Sequence, residues 1–216
     1  MKYVHIQTID IVIEHVTTLL REHLRSGERV VWLLSGGSAI KLQVRIAQAL
    51  QTLDVSNLYV GLTDERYGPR GHMDENYTQL TEALFPFYIH RVLKGKSGEA
   101  TAAEFGKSIE EAIKNADFSL GMFGIGADGH AVGIKAGSPA VASTKPALYY
   151  KWDDYERVTL TPPTIRQLDE AIIYASGADK AEALRTLVHK NVSINEQPAQ
   201  LLKEVPVSTL YTTLEL

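Results

Sequence analysis

Residues 124–130 place three glycines, a carboxylate and an imidazole in one short stretch, Gly124-Ile125-Gly126-Ala127-Asp128-Gly129-His130. Glycine lets the backbone take positive φ and approach a ligand closely. Successive exposed N–H groups in such a turn make a nest for an anion or a developing oxyanion. His130, with Asp128 two residues before it, is a candidate general base. Other readings compete. Gly124, Gly126 and Gly129 match a dinucleotide fingerprint, but no clean helix or strand-closing acid follows. Asp128 and His130 could ligate a metal, but no third ligand has recognisable spacing. A structural loop histidine is the remaining alternative.

Three more stretches carry polar chemistry. Ser35-Gly36-Gly37-Ser38 lies between the apolar run RVVWLL (29–34) and a helical pattern of Ile40, Val44, Ala47 and Leu50. Strand, small polar loop and helix form the layout in which backbone amides and the helix dipole bind phosphate. The P-loop spacing is absent. Asp64-Glu65-Arg66 follows the apolar run 58–63. Lys180 falls in the first turn of a predicted helix over 178–190, where a cation opposes the helix dipole. It is either a surface lysine or one held there to meet an anion.

These groups need a scaffold. Ile9, Val12, Ile13, Val16, Leu19, Leu20 and Leu24 recur at helical spacing, with Gly27 as C-cap. Strands are predicted over 29–34, 58–63, 118–123, 157–161, 171–176 and 205–214. Helices are predicted from Ile40 to Leu50 and over 78–84, 100–115 and 178–190, with a short one through Gln167. Residues 67–76 form a loop that could cover a site, and 141–155 are irregular. The alternation implies an α/β fold with a doubly wound, mostly parallel sheet and helices on both faces. In such sheets ligands bind at the carboxyl ends of the strands. All four polar stretches fall at such ends.

The chain has 216 residues, 44% of them hydrophobic and 22% charged, which suits one domain spanning 1–216. A net charge of −4 gives no support to nucleic-acid or membrane partners. The absence of cysteine excludes thiol catalysis and thiolate metal sites. No secretory signal and no apolar run of membrane-spanning length are present, so a cytoplasmic location is expected.

Taken together, these residues resemble the 6-phosphogluconolactonase family, within the wider group that includes glucosamine-6-phosphate deaminases. Ser35-Gly36-Gly37-Ser38 resembles the family's S-G-G-S phosphate loop. Asp64-Glu65-Arg66 with Asn76-Tyr77 resembles its D-E-R…S-N-Y segment. Gly126–His130 resembles its G-x-D-G-H, and Arg157–Thr161 and Gly177-x-x-Lys180 match later segments. The likeness covers most of the chain. It implies a Rossmann-like fold, no cofactor or metal, and hydrolysis of a sugar-phosphate lactone, 6-phosphogluconolactone, in the pentose phosphate pathway. The deaminases place a glutamate where this chain has Lys135, and favour D-E-Y over Asp64-Glu65-Arg66. Both differences point to the lactonase branch.

On this reading His130 activates water, and Asp64 or Asp128 orients the imidazole or the sugar hydroxyls. Amides of residues 124–129, Gly126 and Gly129 among them, meet the oxyanion. Arg66, Lys180 and the amides of Ser35, Gly36, Gly37 and Ser38 hold the phosphate. The enzyme is expected to act as a monomer or small homo-oligomer. Its rivals are an amino-sugar-phosphate deaminase or isomerase, and a sugar-phosphate-binding regulator without turnover.

Overall fold

The computed structural model describes all 216 residues, Met1–Leu216. The strands are β1 (Lys2–His5), β2 (Val30–Leu34), β3 (Leu58–Leu62), β4 (Asp64–Arg66), β5 (Phe118–Phe123), β6 (Ala147–Lys151), β7 (Glu156–Leu160), β8 (Glu170–Tyr174) and β9 (Val207–Thr212). The α-helices are α1 (Asp10–Arg25), α2 (Ile40–Leu50), α3 (Asn76–Glu82), α4 (Gly98–Asn115), α5 (Pro162–Ile165) and α6 (Ala181–His189). Six strands form a parallel sheet in the order β1-β9-β8-β5-β2-β3, with helices on both sides. A second, antiparallel sheet has the order β4-β7-β6.

The local causes are plain. β2 and β5 are buried at every position, as expected of parallel strands covered on both faces. α1 buries Val12, Val16, Leu20 and Leu24, one face at four-residue spacing, and Gly27 closes it at φ +83°. α4 lies close to both sheets. A Cβ on Gly61 of β3 would meet Ile109 at 3.0 Å, and one on Gly106 would meet the Ala147 backbone of β6 at 2.9 Å. One hydrophobic cluster joins the two sheets, taking in Trp32 and Phe123 of the first and Val158 and Leu160 of the second. Trp32 is fully buried at its centre, where truncation to alanine costs about 3–5 kcal/mol.

The order of the main sheet fixes where a ligand can sit. From β2 the chain moves outward to β3, whereas from β5 it moves the other way to β8 and β9. The strand order therefore reverses between β2 and β5, and ligands bind at such a switch point. The loops following these two strands are residues 35–38 and 124–130.

The doubly wound sheet is as expected, but several elements differ from the sequence reading. β1 carries no strand signal in the sequence, because its four residues do not alternate and none is fully buried. β6 lies inside the stretch read as irregular, and pairs with β7 instead of joining the main sheet. Asp64-Glu65-Arg66 is itself a strand, bonded to β7, so it stands in the second sheet. Helix 78–84 begins earlier and ends at Glu82, and helix 178–190 divides into a 3₁₀ turn, Ala178–Lys180, followed by α6. The last strand is shorter, Val207–Thr212.

Candidate active site

The switch point opens into a cavity of about 220 Å³. Ser35, Gly36, Gly37, Ser38, Asp64, Arg66, Gly126, His130 and Lys180 all line it, together with Asn76, Gly124, Ile125, Val132, Gly133 and Arg157. Of the residues singled out from sequence, Asp128 and Gly129 stand behind the wall. Asp128 backs His130, and the Gly129 carbonyl accepts from the Ala199 N–H at 3.1 Å. A Cβ on Gly129 would meet Gln197 at 2.8 Å, so the 3₁₀ segment Pro198–Glu204 and the residue before it brace the loop.

His130 Nδ1 lies 2.5 Å from Asp128 Oδ1. Two acceptors cannot approach so closely, so Nδ1 carries a proton and donates it, and in the neutral ring Nε2 is then the acceptor. Asp128, not Asp64, is therefore the carboxylate bonded to the imidazole. Burial alone would raise the Asp128 carboxyl, but Lys135 at 2.8 Å and His130 outweigh it and hold Asp128 well below the usual carboxylate range. Gly126 has to be glycine here, because a Cβ would run into the His130 ring. Asp64 accepts from the Thr63 hydroxyl at 2.7 Å, and its carboxylate fills the space where a Cβ on Gly133 would project.

The glycine loop supplies its amides differently from the sequence expectation. Gly124 and Gly126 do not take positive φ; Gly129 does, at +78°. The Gly126 N–H donates to the His130 carbonyl and the Gly129 N–H to the Gly126 carbonyl, each at 3.0 Å, so neither faces a ligand. Gly124 and Ile125 line the cavity, and their N–H groups donate to no protein acceptor. Further along, Val132 sits at φ +58°, a conformation that costs a β-branched residue about 1–3 kcal/mol. The Thr159 hydroxyl holds it there by donating to the Val132 carbonyl.

On the opposite wall, Gln43 pins the Ser35 loop: the Ser35 N–H donates to Oε1 at 2.9 Å, and Nε2 donates to the Ser35 carbonyl at 2.7 Å. The Ser35 hydroxyl is buried without a partner. Glu65 is fully buried and accepts the N–H groups of Arg66, Asn76 and Tyr77 at 2.8, 2.6 and 3.0 Å, tying β4 to the start of α3. Burial pushes its carboxyl up to about 8, against those donors.

Three cations converge on the cavity. Arg66 has no carboxylate partner; its Nη1 donates to the Asp74 carbonyl at 3.3 Å, and its guanidinium lies 5.0 Å from the Tyr155 ring centre. Lys180, placed by the 3₁₀ turn after β8, makes no ion pair. In the sequence Arg157 stands out only as part of a strand. It is buried, and Asp154 holds it by two bonds of 2.6 and 2.8 Å. The signal for it was a basic residue opening a short apolar strand. No group of three His, Cys, Asp or Glu side chains is placed to hold a metal ion. No helix is long and apolar enough to cross a membrane.

A histidine–aspartate pair thus faces a cluster of cations across a switch-point cavity. The family model for glucosamine-6-phosphate isomerases/6-phosphogluconolactonase matches residues 6–211. The chain belongs to that family. Among curated relatives, it is 26% identical over 206 residues to probable 6-phosphogluconolactonase 1 of Arabidopsis thaliana, covering 85% of this chain and 75% of that protein. It is 27% identical over 168 residues to the 6-phosphogluconolactonase of Borreliella burgdorferi, covering 71% of each. The match to a probable chloroplastic 6-phosphogluconolactonase of rice, 28% identical, spans 60% of that protein's length.

Two solved structures show how widely the fold is shared. 6-Phosphogluconolactonase from Thermotoga maritima superposes with a TM-score of 0.82 at 20% identity, covering 97% of each chain. A monomeric glucosamine-6-phosphate deaminase superposes with a TM-score of 0.77 at 18% identity, covering 98% of this chain and 97% of that one. The fold is thus common to proteins of two activities, and the side chains have to discriminate between them.

Proposed function

We propose that the protein is a 6-phosphogluconolactonase, hydrolysing 6-phosphogluconolactone to 6-phosphogluconate. The observation that carries this reading is the single cavity with the His130 imidazole on one wall and Arg66, Arg157 and Lys180 around it. The names of its curated relatives support the same activity.

A lactone is an activated ester, so water can attack it without a protein nucleophile. His130 Nε2 takes a proton from water as its oxygen adds to the ring carbonyl carbon. Asp128 holds the imidazole in the tautomer this requires and stabilises the imidazolium that forms. The carbonyl oxygen becomes an oxyanion, met by the Gly124 and Ile125 N–H groups. The tetrahedral intermediate collapses, the bond to the ring oxygen breaks, and the imidazolium returns the proton to that oxygen. Phosphate lies against Gly36–Ser38, Arg66 and Lys180, where the forked guanidinium suits two phosphate oxygens, while the Ser35 amide is already taken by Gln43 and only its hydroxyl is free. Asp64 is left to accept bonds from sugar hydroxyls.

The test is an assay on freshly made 6-phosphogluconolactone, with glucosamine 6-phosphate in parallel. Hydrolysis above the spontaneous rate, unaffected by a chelator, supports the proposal. Ammonia release from the amino sugar would make the protein a deaminase instead. Tight binding without turnover would make it a sugar-phosphate-binding regulator.

A further inference from the structure

Lys135 stands behind His130 and Asp128, and the reaction above does not use it. It lies at the end of the turn after the glycine loop, with only 13% of its side chain exposed. Its ammonium is 2.8 Å from Asp128 Oδ2, 3.2 Å from His130 Nδ1 and 3.6 Å from Asp154 Oδ2. Asp154 in turn binds Arg157, which lines the cavity. Behind the imidazole the charges alternate along one chain: Asp128, Lys135, Asp154, Arg157. Nothing in hydrolysis of a lactone demands a cation in that place.

An ammonium has three donors and no acceptor. It cannot accept from His130 Nδ1–H, so the two nitrogens meet only through the carboxylate they share. Lys135 therefore does two things to the pair. It fixes one oxygen of Asp128, a side chain otherwise half open to solvent, and it places a positive charge beside the imidazole. Without Lys135, Asp128 would act on His130 alone, and an unshared carboxylate favours the protonated imidazolium. The other charged groups around His130 sit elsewhere on the wall. They are Asp64 and Arg66 from β4, Arg157 from β7 and Lys180 after β8. None of them bonds to Asp128 or to the imidazole.

The geometry points to Lys135 as a positioning residue that divides Asp128 between itself and His130, and so extends the pH range over which His130 works as a base toward acid. This rests on the reading of His130 as general base, and the experiment is chosen to separate the two. Rate profiles of kcat/KM against pH are measured for wild type, Lys135→Gln and Lys135→Arg. Lys135→Gln moves the acid limb upward by about one pH unit, a modest shift for one charge at a half-open site. Below the limb it is about tenfold slower than wild type, and on the alkaline plateau nearly equal to it. Lys135→Arg keeps the charge and restores the wild-type limb. A uniform loss at every pH, with the limb unmoved, overturns the proposal and makes Lys135 merely structural.

A second readout needs no turnover. The midpoint of the His130 ring-proton titration, followed by NMR in the same variants, moves upward in Lys135→Gln and not in Lys135→Arg. If the lactone is not hydrolysed but this shift is seen, the proposed function fails and the role of Lys135 stands. If the titration is unchanged by Lys135→Gln, the role of Lys135 fails whatever the substrate.

Discussion

Arg66 and Arg157 stand directly opposite each other in the register of β4 and β7. Like charges so placed destabilise a sheet. Asp154 neutralises Arg157, and the Tyr155 ring lies within 5.0 Å of the Arg66 guanidinium and 5.5 Å of that of Arg157. Arg66 keeps an unpaired charge at the cavity.

Anchoring and chemistry can be separated with two substrates. Arg66→Ala and Lys180→Ala each weaken transition-state binding of the phosphorylated lactone by about 1.5–3 kcal/mol, the range for hydrogen bonds to charged groups. Unphosphorylated gluconolactone lacks the gripped group, so its slow hydrolysis hardly changes. Values of kcat/KM for each variant on each lactone decide the matter. Equal losses on both lactones would remove these residues from the phosphate site.

His130→Ala impairs both lactones, because both need an activated water. The expected fall in kcat is about 10²–10⁴, the usual range for a general base. Asp128→Asn keeps the shape but presents an amide to Nδ1, and lowers kcat by a smaller factor with KM little changed. Activity of folded His130→Ala within a few-fold of wild type would end the assignment.

Two glycines with the same backbone make a controlled pair. Gly133 and Gly137 have φ of +67° and +71°. A Cβ on Gly133 would lie 2.7 Å from Asp64 Oδ2, whereas one on Gly137 meets nothing within 4 Å. Alanine at either position costs about 1–3 kcal/mol of backbone strain. Gly133→Ala also displaces Asp64, so it alone lowers kcat/KM. Thermal unfolding and steady-state rates on the same preparations test this, and equal activities in the two variants would refute it.

Glu65 gives the fold a pH dependence with a definite sign. Its carboxyl, 4.5 in the ordinary state, is pushed up to about 8 by burial. Between those values the native protein holds a proton that the unfolded chain has released. The stability this group contributes is thus full below 4.5 and is lost as pH rises through about 8. Glu65→Gln lowers stability overall, through its three backbone donors, but flattens that slope. Urea unfolding at about pH 5 and about pH 8 measures it. An unchanged difference between the two pH values in the variant would contradict the assignment.

Much of this was legible in the sequence because parallel strands write themselves as unbroken apolar runs. VVWLL and FSLGMF are of that kind, and the glycine-rich loops after them lie at the switch point. The second sheet was harder to read. ALYYK is buried only at Ala147 and Tyr150 and ends exposed, so it lacks the two-residue alternation of a strand, in a stretch rich in turns. Arg157 was missed as a site residue because its side chain reaches the cavity only through the pairing of β7 with β4, a contact 91 residues apart in sequence for Arg66 and Arg157. Which amides stay free was also invisible, since that depends on how the loop bonds to itself. The tie between Asp128 and His130, two residues apart, was the kind of contact that sequence does carry.

The cavity is shared between two sheets. Asp64, Arg66 and Arg157 come from the small one, while Ser35–Ser38, the glycine loop and Lys180 follow strands of the large one. A ligand that touches both walls binds only when the two sheets are docked. By mass action, ligand at 100 times its Kd adds about 2.7 kcal/mol to that docking. A substrate or product that bridges both walls would thereby stabilise the seam. A mutation that loosens the core between the sheets is masked where metabolite is abundant and exposed where it is scarce.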